Sequence, residues 1–293
     1  MRPGREADLS GLIELMRNEV VEGRQDMAPS ESFLRRVLAH FDWETKSRVI
    51  EEAGRMAGSV LVMSRPSPDG VIATVYAAGN GDRYRDMVRW GVQFARAAGA
   101  TIVQTTVAAG RGDGLAYAGL KVVRPWWRMD RTLADGLPDV AAVPGYRVID
   151  GTAVRPGRWS EMFNRTFVDH WRFMPRAEGE ILAGKHPQLS LMAVTTEAGA
   201  PAAMTLAEIE AYPGDARPQP VGLVSSVGTV PEHRRRGLAS WLVAESLHRL
   251  RSAGARHASL YVDGLSPMRA YDVYGKLGFA VKFEAEVWEA TFP

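Results

Sequence analysis

Residues 221–243 read VGLVSSVGTVPEHRRRGLASWLV, and this stretch decides the fold of the half of the chain that contains it. An apolar strand runs to Val230, Pro231 ends its pairing, and a basic turn leads into a helix that starts near Gly237. The first backbone N–H groups of a helix have no partner within it, so they can bind an anion. Gly237 allows a close approach to a ligand, and small Ala239 leaves the first turn open. With three arginines at the same point, the stretch predicts a cradle for a pyrophosphate.

The segment resembles the acetyl-CoA-binding motif of the GNAT (GCN5-related N-acetyltransferase) family, Arg/Gln-x-x-Gly-x-Gly/Ala after a strand. The resemblance implies acetyl-CoA as the acyl donor and direct transfer without an acyl-enzyme. It also implies that the strand before the cradle splays from its neighbour and exposes backbone groups to the pantetheine arm. The residues that it assigns to the cofactor are Thr229, Val230, Arg234, Arg235, Arg236, Gly237, Leu238, Ala239 and Ser240.

A second element follows in the order that the family has. Residues 263–279 look like its Asn-x-x-Ala-x-x-x-Tyr-x-x-x-Gly-Phe stretch, with Ala270, Tyr274 and Gly278-Phe279 in register. Pro267 occupies the position of the asparagine. The resemblance implies that Tyr274 protonates the leaving CoA thiolate, and a phenol can donate a proton to sulfur as negative charge develops. A helix residue whose ring packs on the sheet is the alternative for this tyrosine.

The acceptor amine must lose a proton before or during its attack on the thioester, so we expect a base nearby. Glu208 and Glu210 lie on the preceding strand-like run, where alternation places both on the same face. Asp263, at the end of the strand after the helix, is a further candidate for the acceptor side. Solvated carboxylates are the alternative for all three. We take Glu208 as the predicted base and Asp263 as a predicted substrate contact.

The two halves of the chain repeat the same order of patterns. In the first half a helical pattern stops at Gly99 and an apolar strand follows over 101–107. In the second half the helix stops at Gly254 and a strand follows over 258–262. A chance similarity between strand–helix units is the alternative, but the matching order favours duplication.

Each half closes with a further strand, over 121–131 and 281–291. Strand–helix–strand units predict an α/β fold with a mixed sheet in each half. We therefore expect two tandem GNAT-like domains, each a twisted mixed β-sheet flanked by helices. A degenerate domain with its linker occupies residues 1–140, and the catalytic domain occupies 141–293.

The tandem arrangement resembles the mycothiol synthase-like branch of the family. Residues 167–175 look like a segment of this branch that would lie near the acceptor cleft. The resemblance makes His170 and Trp171 predicted substrate contacts, with helix packing as the alternative. Mycothiol synthase carries a catalytic glutamate after a glycine on the strand leading to the cradle, whereas Gly222-Leu223 stands here. A leucine cannot act as a base, so the resemblance supports the fold and the reaction class but not that acceptor. Residues 75–85, at the cradle position of the first half, lack the motif.

The composition excludes several other classes. Cysteine is absent, which excludes disulfides, thiolate metal sites and a cysteine nucleophile, and the six histidines lack the spacing of a zinc-binding helix. We expect no metal. The formal net charge of +2 gives no general drive towards nucleic acid or anionic membrane. The N-terminus is charged where a signal peptide needs an apolar core, and no apolar run approaches the ~20 residues of a membrane span. We expect a cytoplasmic protein with no membrane partner.

The sequence predicts an acyl-CoA-dependent N-acyltransferase of the EC 2.3.1 class, which transfers acetyl from acetyl-CoA to a primary amine of a small molecule. An aminoacyl-tRNA-dependent acyltransferase of specialised metabolism is an alternative, in which the arginines meet tRNA phosphate. The intact cradle favours CoA, and a charge of +2 gives no tRNA-sized footprint. A non-catalytic CoA-binding sensor is the other alternative, against which Tyr274 in register argues. A monomer and a homodimer are both compatible with the sequence.

Overall fold

A computed structural model describes residues 1–112, 114–134, 136–211 and 217–293. These residues form two compact units, and each is considered by itself. The first contains Met1–Trp126 and Phe283–Pro293, and the described part of the second runs from Trp127 to Lys282. None of the described helices combines the length and apolar character that crossing a bilayer requires.

The first unit contains a sheet in the order β1-β2-β3-β4-β5, with helices packed on it. Strands β2, β3 and β4 are antiparallel neighbours, whereas β4 and β5 are parallel and are joined by α4. The elements are β1 (Arg2–Pro3), α1 (Leu9–Val21), α2 (Glu31–Val37), α3 (Trp43–Lys46), β2 (Ser47–Glu52), β3 (Arg55–Ser67), β4 (Gly70–Gly79), α4 (Gly81–Ala97) and β5 (Ile102–Ala108).

The second unit begins within the next strand and repeats this arrangement. Its sheet has the order β6-β11-β10-β9-β8-β7, in which β10 and β11 are parallel and joined by α7. The elements are β6 (Lys121–Thr132), β7 (Tyr146–Asp150), α5 (Arg158–Phe167), α6 (Glu178–Leu182), β8 (Leu191–Thr195), β9 (Pro201–Glu210), β10 (Val221–Thr229), α7 (Leu238–Ser252), β11 (His257–Asp263) and α8 (Ala270–Lys276).

The final strand, β12 (Ala280–Thr291), returns to the first unit. Its residues 285–291 pair antiparallel with Ala108–Ile102 of β5. The first unit therefore obtains an edge of its sheet from the far end of the sequence. The mixed α/β fold is confirmed, whereas the predicted domain ranges 1–140 and 141–293 remain predictions about where each domain folds by itself.

The parallel strands of each unit pair over a short stretch and then part. In the second unit only Val221–Leu223 of β10 pair with His257–Ser259 of β11, although β10 continues to Thr229. In the first unit Ile72–Thr74 of β4 pair with Ile102–Gln104 of β5 in the same way. The expected splay beside the cradle is therefore present, and it leaves backbone groups of β10 without a strand partner on that side.

The helix between the splayed strands begins and ends where the sequence pattern predicts. Gly237 precedes α7 with a φ of 87°, and Gly254 follows it with a φ of 95°, a left-handed conformation that favours glycine. Between them Leu242, Val243 and Leu247 are fully buried in the core of the second unit. Burial of this apolar face fixes the helix on the sheet and so fixes its N-terminus at the end of β10.

Candidate active site

A cleft of about 310 Å³ opens in the second unit at the point where β10 ends and α7 begins. Its volume lies at the lower end of the usual range for small-molecule sites. Four parts of the chain meet there: the end of α5 with the turn after it, the end of β10, the turn into α7, and the segment from β11 into α8. The residues that line the cleft are Thr166, His170, Val227, Gly228, Thr229, His233, Arg234, Arg235, Gly237, Leu238, Ala239, Ser240, Ser266, Met268, Ala270, Val273 and Tyr274.

The cradle end of the cleft is the N-terminus of α7. Among the described residues no side chain caps this helix, so its first N–H groups lie at the cleft without a capping partner there. Leu238, Ala239 and Ser240 all line the cleft beside Gly237, as the sequence predicts. The partial positive charge of a helix N-terminus favours an anion at this position. This end of the cleft is thus suited to a phosphate group.

The three consecutive arginines have three different surroundings. The Arg234 guanidinium donates to both Asp169 carboxylate oxygens, at 2.6 and 3.1 Å, and to two backbone carbonyl groups. Arg236 donates to the Tyr146 hydroxyl at 3.1 Å and does not line the cleft. The exposed Arg235 lines the cleft, and its side chain makes no hydrogen bond or ion pair with another described residue. Arg235 is therefore the arginine best placed to meet an anion.

Arg234 instead connects α5 to the end of β10. Besides Asp169, its guanidinium donates to the Thr229 carbonyl at 3.1 Å and to the Thr166 carbonyl at 3.2 Å. Hydrogen bonding from Arg234 holds the pKa of the Asp169 carboxyl below its usual range. The segment that follows α5 is thereby fixed against the cradle.

A bulge in β10 brings the strand into contact with α5. The pairing register with β9 shifts between Ser225 and Gly228, and Ser226 has a φ of 51°. A Cβ atom at Gly228 would lie 2.1 Å from Thr166 Cγ2 and 3.0 Å from Phe167 Cζ. Only glycine therefore fits at this point. The close packing places the C-terminal end of α5 over the bulge, on the wall of the cleft.

Tyr274 reaches the cleft from α8. The residue is 6% exposed, and its ring packs edge-on against Phe279 at 6.3 Å between centroids. Burial raises the pKa of the Tyr274 phenol, so the hydroxyl stays protonated at neutral pH. Within the described chain this hydroxyl makes no hydrogen bond. It is therefore a proton donor available to a group in the cleft.

His170 faces the cleft from the turn after α5. The ring contacts Phe167 edge-on, with 4.7 Å between centroids, while the residue stays exposed to solvent. Partial desolvation lowers the pKa of the imidazole, the nearby Asp169 and Asp263 oppose this shift, and Arg234 adds to it. The pKa of His170 therefore lies below its ordinary value, and the ring is neutral at pH 7.

The other predicted contacts lie outside the cleft lining. Val230 is fully buried in an apolar cluster, and Trp171 lies next to Arg172, whose guanidinium is 5.7 Å from the Trp171 ring centre. Asp263 accepts from the Leu265 N–H at 2.9 Å and so shapes the turn after β11. These three residues are not brought to the cleft, whereas His170 is.

The predicted base Glu208 is engaged elsewhere. It is 4% exposed, and its carboxylate pairs with Lys185 at 2.8 Å. Glu210 lies at the end of β9, where it pairs in register with Val221 of β10. Neither glutamate lines the cleft. The two glutamates that the sequence offers as bases are therefore not brought to the cleft.

Sequence reasoning missed several residues of the cleft. Gly228 carries a signal that could have been used, since an isolated glycine within a strand often marks a bulge. His233 also lines the cleft, and its Nδ1 lies 2.8 Å from the Tyr146 hydroxyl. Ser266 and Met268 come from the loop before α8. No local pattern in the sequence distinguishes these two from other loop residues.

The equivalent turn of the first unit, between β4 and α4, is built differently. The Gly79 N–H at the end of β4 donates to the Glu19 carboxylate at 3.0 Å. Arg24 donates to both oxygens of Glu19, at 2.6 and 2.8 Å, and to Asn80 at 2.7 Å. Glu19 is 2% exposed. An anion is therefore present at this turn already, and it belongs to the chain itself.

The comparisons with known proteins point to one family. Residues 202–282 match the family model of an acetyltransferase (GNAT) domain. The mycothiol acetyltransferase of Kytococcus sedentarius is 28% identical over 178 residues. That match covers 56% of this chain and 56% of the relative, so the chain spans little more than half the length of the curated relative.

Two solved structures extend the likeness to the whole chain at the level of the fold. A GCN5-related N-acetyltransferase from Sphaerobacter thermophilus matches with a TM-score of 0.75 at 20% identity. The match covers 99% of this chain and 94% of that protein's chain. A tandem GNAT protein from the clavulanic acid biosynthesis pathway matches with a TM-score of 0.69 at 16% identity. This match covers 100% of the present chain and 98% of the chain of that protein. The tandem arrangement of the fold is thus found in a solved structure.

Proposed function

On the match of residues 202–282 to a GNAT acetyltransferase domain, we propose that this chain is an enzyme that transfers the acetyl group of acetyl-CoA directly to a primary amine of a small molecule. The observation that carries the proposal is the cleft of the second unit. The cleft is lined by the uncapped N-terminus of α7 and by Arg235, whose side chain has no partner among the described residues. Tyr274, whose hydroxyl is protonated, lines it as well. Anion binding and proton donation are thereby available in one place.

The residues present suit acetyl-CoA, which supplies an acetyl group activated as a thioester when it is bound. The N–H groups of residues 238–240 and the Arg235 guanidinium would hold the pyrophosphate. The end of β10, over residues 227–229, would face the pantetheine arm with backbone groups that β11 does not pair. Gly237 has a left-handed conformation that favours glycine, and its lack of a side chain keeps the turn clear.

Tyr274 would supply the proton at the other end of the cleft. As the bond between carbon and sulfur breaks, its phenol hydroxyl donates to the sulfur and prevents a free thiolate from accumulating. The raised pKa of the phenol keeps this proton in place until negative charge develops on the sulfur. Phe279 packs edge-on against the Tyr274 ring.

Calorimetric titration with acetyl-CoA tests the proposal. We expect one binding site per chain, and at least a tenfold loss of affinity in Arg235→Glu. Arg251→Glu is the matched control, because Arg251 is exposed in the last turn of the same helix and the charge change is the same. Absence of acetyl-CoA binding by the unmodified chain contradicts the proposal, and binding of charged tRNA in its place would favour the tRNA-dependent alternative.

A further inference from the structure

His170 stands apart from the other titratable groups at the cleft. It lines the same cleft as Tyr274 and the cradle, and its ring makes no hydrogen bond within the described part of the chain. The packing of Gly228 on α5 fixes the backbone just before it. A basic side chain is thus held at the cleft, with no hydrogen-bond partner for its ring among the described residues.

We propose that His170 is the catalytic base, which accepts the proton of the acceptor amine as the amine attacks the acetyl group. This inference rests on the proposed function and adds the group that the acceptor side requires. Of the other bases that the sequence offers, Glu208 is paired with Lys185 and Asp263 accepts from the Leu265 N–H, and neither lines the cleft.

His233 is the other histidine at the cleft, and its surroundings are different. Its Nδ1 lies within hydrogen-bond distance of the Tyr146 hydroxyl, to which Arg236 also donates. That contact connects the turn before α7 to β7. His233 is therefore tied into the scaffold, while His170 is available to the reactants.

The reaction moves two protons, of which His170 accepts one and Tyr274 donates the other. The amine nitrogen forms a bond to the carbonyl carbon, and the bond from that carbon to sulfur breaks. His170 takes the proton that the nitrogen loses, and Tyr274 gives a proton to the sulfur. The imidazolium then loses its proton to solvent, to which His170 is exposed, and the phenolate recovers one. The products are an amide and free CoA.

The charged groups around His170 set the pH range in which it can act. Asp169 lies beside it in the chain, Arg234 faces it from the turn after β10, and Asp263 faces it from the end of β11. His233 and Arg235 line the same cleft. Desolvation is the largest influence and lowers the pKa of His170, so the ring is neutral and able to accept a proton at pH 7. Once the ionisation of the acceptor amine itself is allowed for, we expect a further acid limb of kcat/KM below about pH 6.5.

The test uses the full chain, with glycinamide as the probe acceptor and release of the CoA thiol as the readout. An α-amine of this kind is about half neutral near pH 8, whereas a lysine-like amine is almost entirely protonated. We expect His170→Gln to lower kcat about 100-fold or more while acetyl-CoA affinity stays within twofold. His170→Ala should regain activity when imidazole is added. His248→Gln is the matched control, because His248 lies outside the cleft and contacts the Pro138 carbonyl.

A second readout needs no turnover. Proton-detected NMR of the histidine rings, with the His170 signal assigned by its loss in His170→Gln, should give a titration midpoint below about 6.5. A His170 midpoint that does not match the further acid limb of kcat/KM, or a His170→Gln variant with unchanged kcat and an unchanged acid limb, overturns the inference. If either result is found while acetyl-CoA binds and Tyr274→Phe lowers kcat, only the role of His170 is rejected and the proposed function stands. If the unmodified chain neither binds acetyl-CoA nor releases CoA above the buffer rate, the proposed function fails and the inference with it.

Discussion

The buried Glu19 carboxylate lies at the turn of the first unit that corresponds to the cradle. We therefore predict that acetyl-CoA binds in the second unit and not in the first. Glu19 accepts from Gly79 at the end of β4 and from Arg24, and its side chain is 2% exposed against 21% for Arg24. Glu19→Gln keeps the shape and an acceptor for Gly79 but leaves the guanidinium without its buried charge partner. Removing one partner of a buried pair costs about 3–5 kcal/mol, and we expect about 3 because Arg24 keeps some access to water.

Glu22→Gln is the matched control. Glu22 pairs with the same arginine but is 41% exposed, and exposed pairs contribute about 0–1 kcal/mol. With a slope of about 2.5 kcal/mol per molar urea, the loss of about 3 kcal/mol for Glu19→Gln moves the unfolding midpoint by about 1.2 M. The corresponding shift for Glu22→Gln stays below about 0.4 M.

Urea unfolding followed by circular dichroism measures both shifts, and amide hydrogen exchange reports directly on the Gly79 N–H. Because Gln keeps an acceptor for Gly79, we expect the protection of the Gly79 N–H in Glu19→Gln to fall by no more than the loss of stability, and to stay unchanged in Glu22→Gln. Calorimetry on the unmodified chain should give one acetyl-CoA, bound in the second unit. Equal stability of the two variants, or two acetyl-CoA molecules per chain, would refute the reasoning.

Three further predictions concern the second unit. Tyr274→Phe should lower kcat about 100-fold, with acetyl-CoA affinity and stability nearly unchanged, because the hydroxyl has no hydrogen bond within the described chain; steady-state kinetics and calorimetry check this. Gly228→Ala should destabilise the chain by about 1–3 kcal/mol through its clash with Thr166, and adding Thr166→Ala should restore part of the loss in a urea titration. Asp169→Asn should cost at most about 1 kcal/mol, since the carboxylate is 40% exposed. Because Arg234 lowers the pKa of Asp169, this contribution is full above about pH 4 and is lost as the pH falls further, which unfolding curves at several pH values would reveal.

The fold was accessible from the sequence because its signals are local. The apolar run before Pro231, the helix after Gly237 and the stop at Gly254 each depend on neighbouring residues, and the resemblance to the GNAT family that they carry is confirmed. The return of β12 to the first unit could not be predicted in this way. Its pairing with β5 joins residues 285–291 to 102–108, and a strand pattern does not specify so distant a partner.

The side-chain partners at the site were the harder part for the same reason. The arginine motif predicts a positively charged turn. It does not show that the guanidinium of Arg234 pairs with Asp169, which lies 65 positions away in the sequence. Likewise, alternation places Glu208 on a face of β9 but does not reveal that Lys185 neutralises it there. The roles of the individual residues in the cleft remain predictions, and the structure orders them by which side chains are available to a ligand.

A crystal structure of the chain with acetyl-CoA tests the central claim most directly. The account predicts the pyrophosphate against the N–H groups of residues 238–240 and Arg235, with the sulfur beside the Tyr274 hydroxyl. Acetyl-CoA bound at the turn between β4 and α4, or with its thioester remote from Tyr274, would contradict the account.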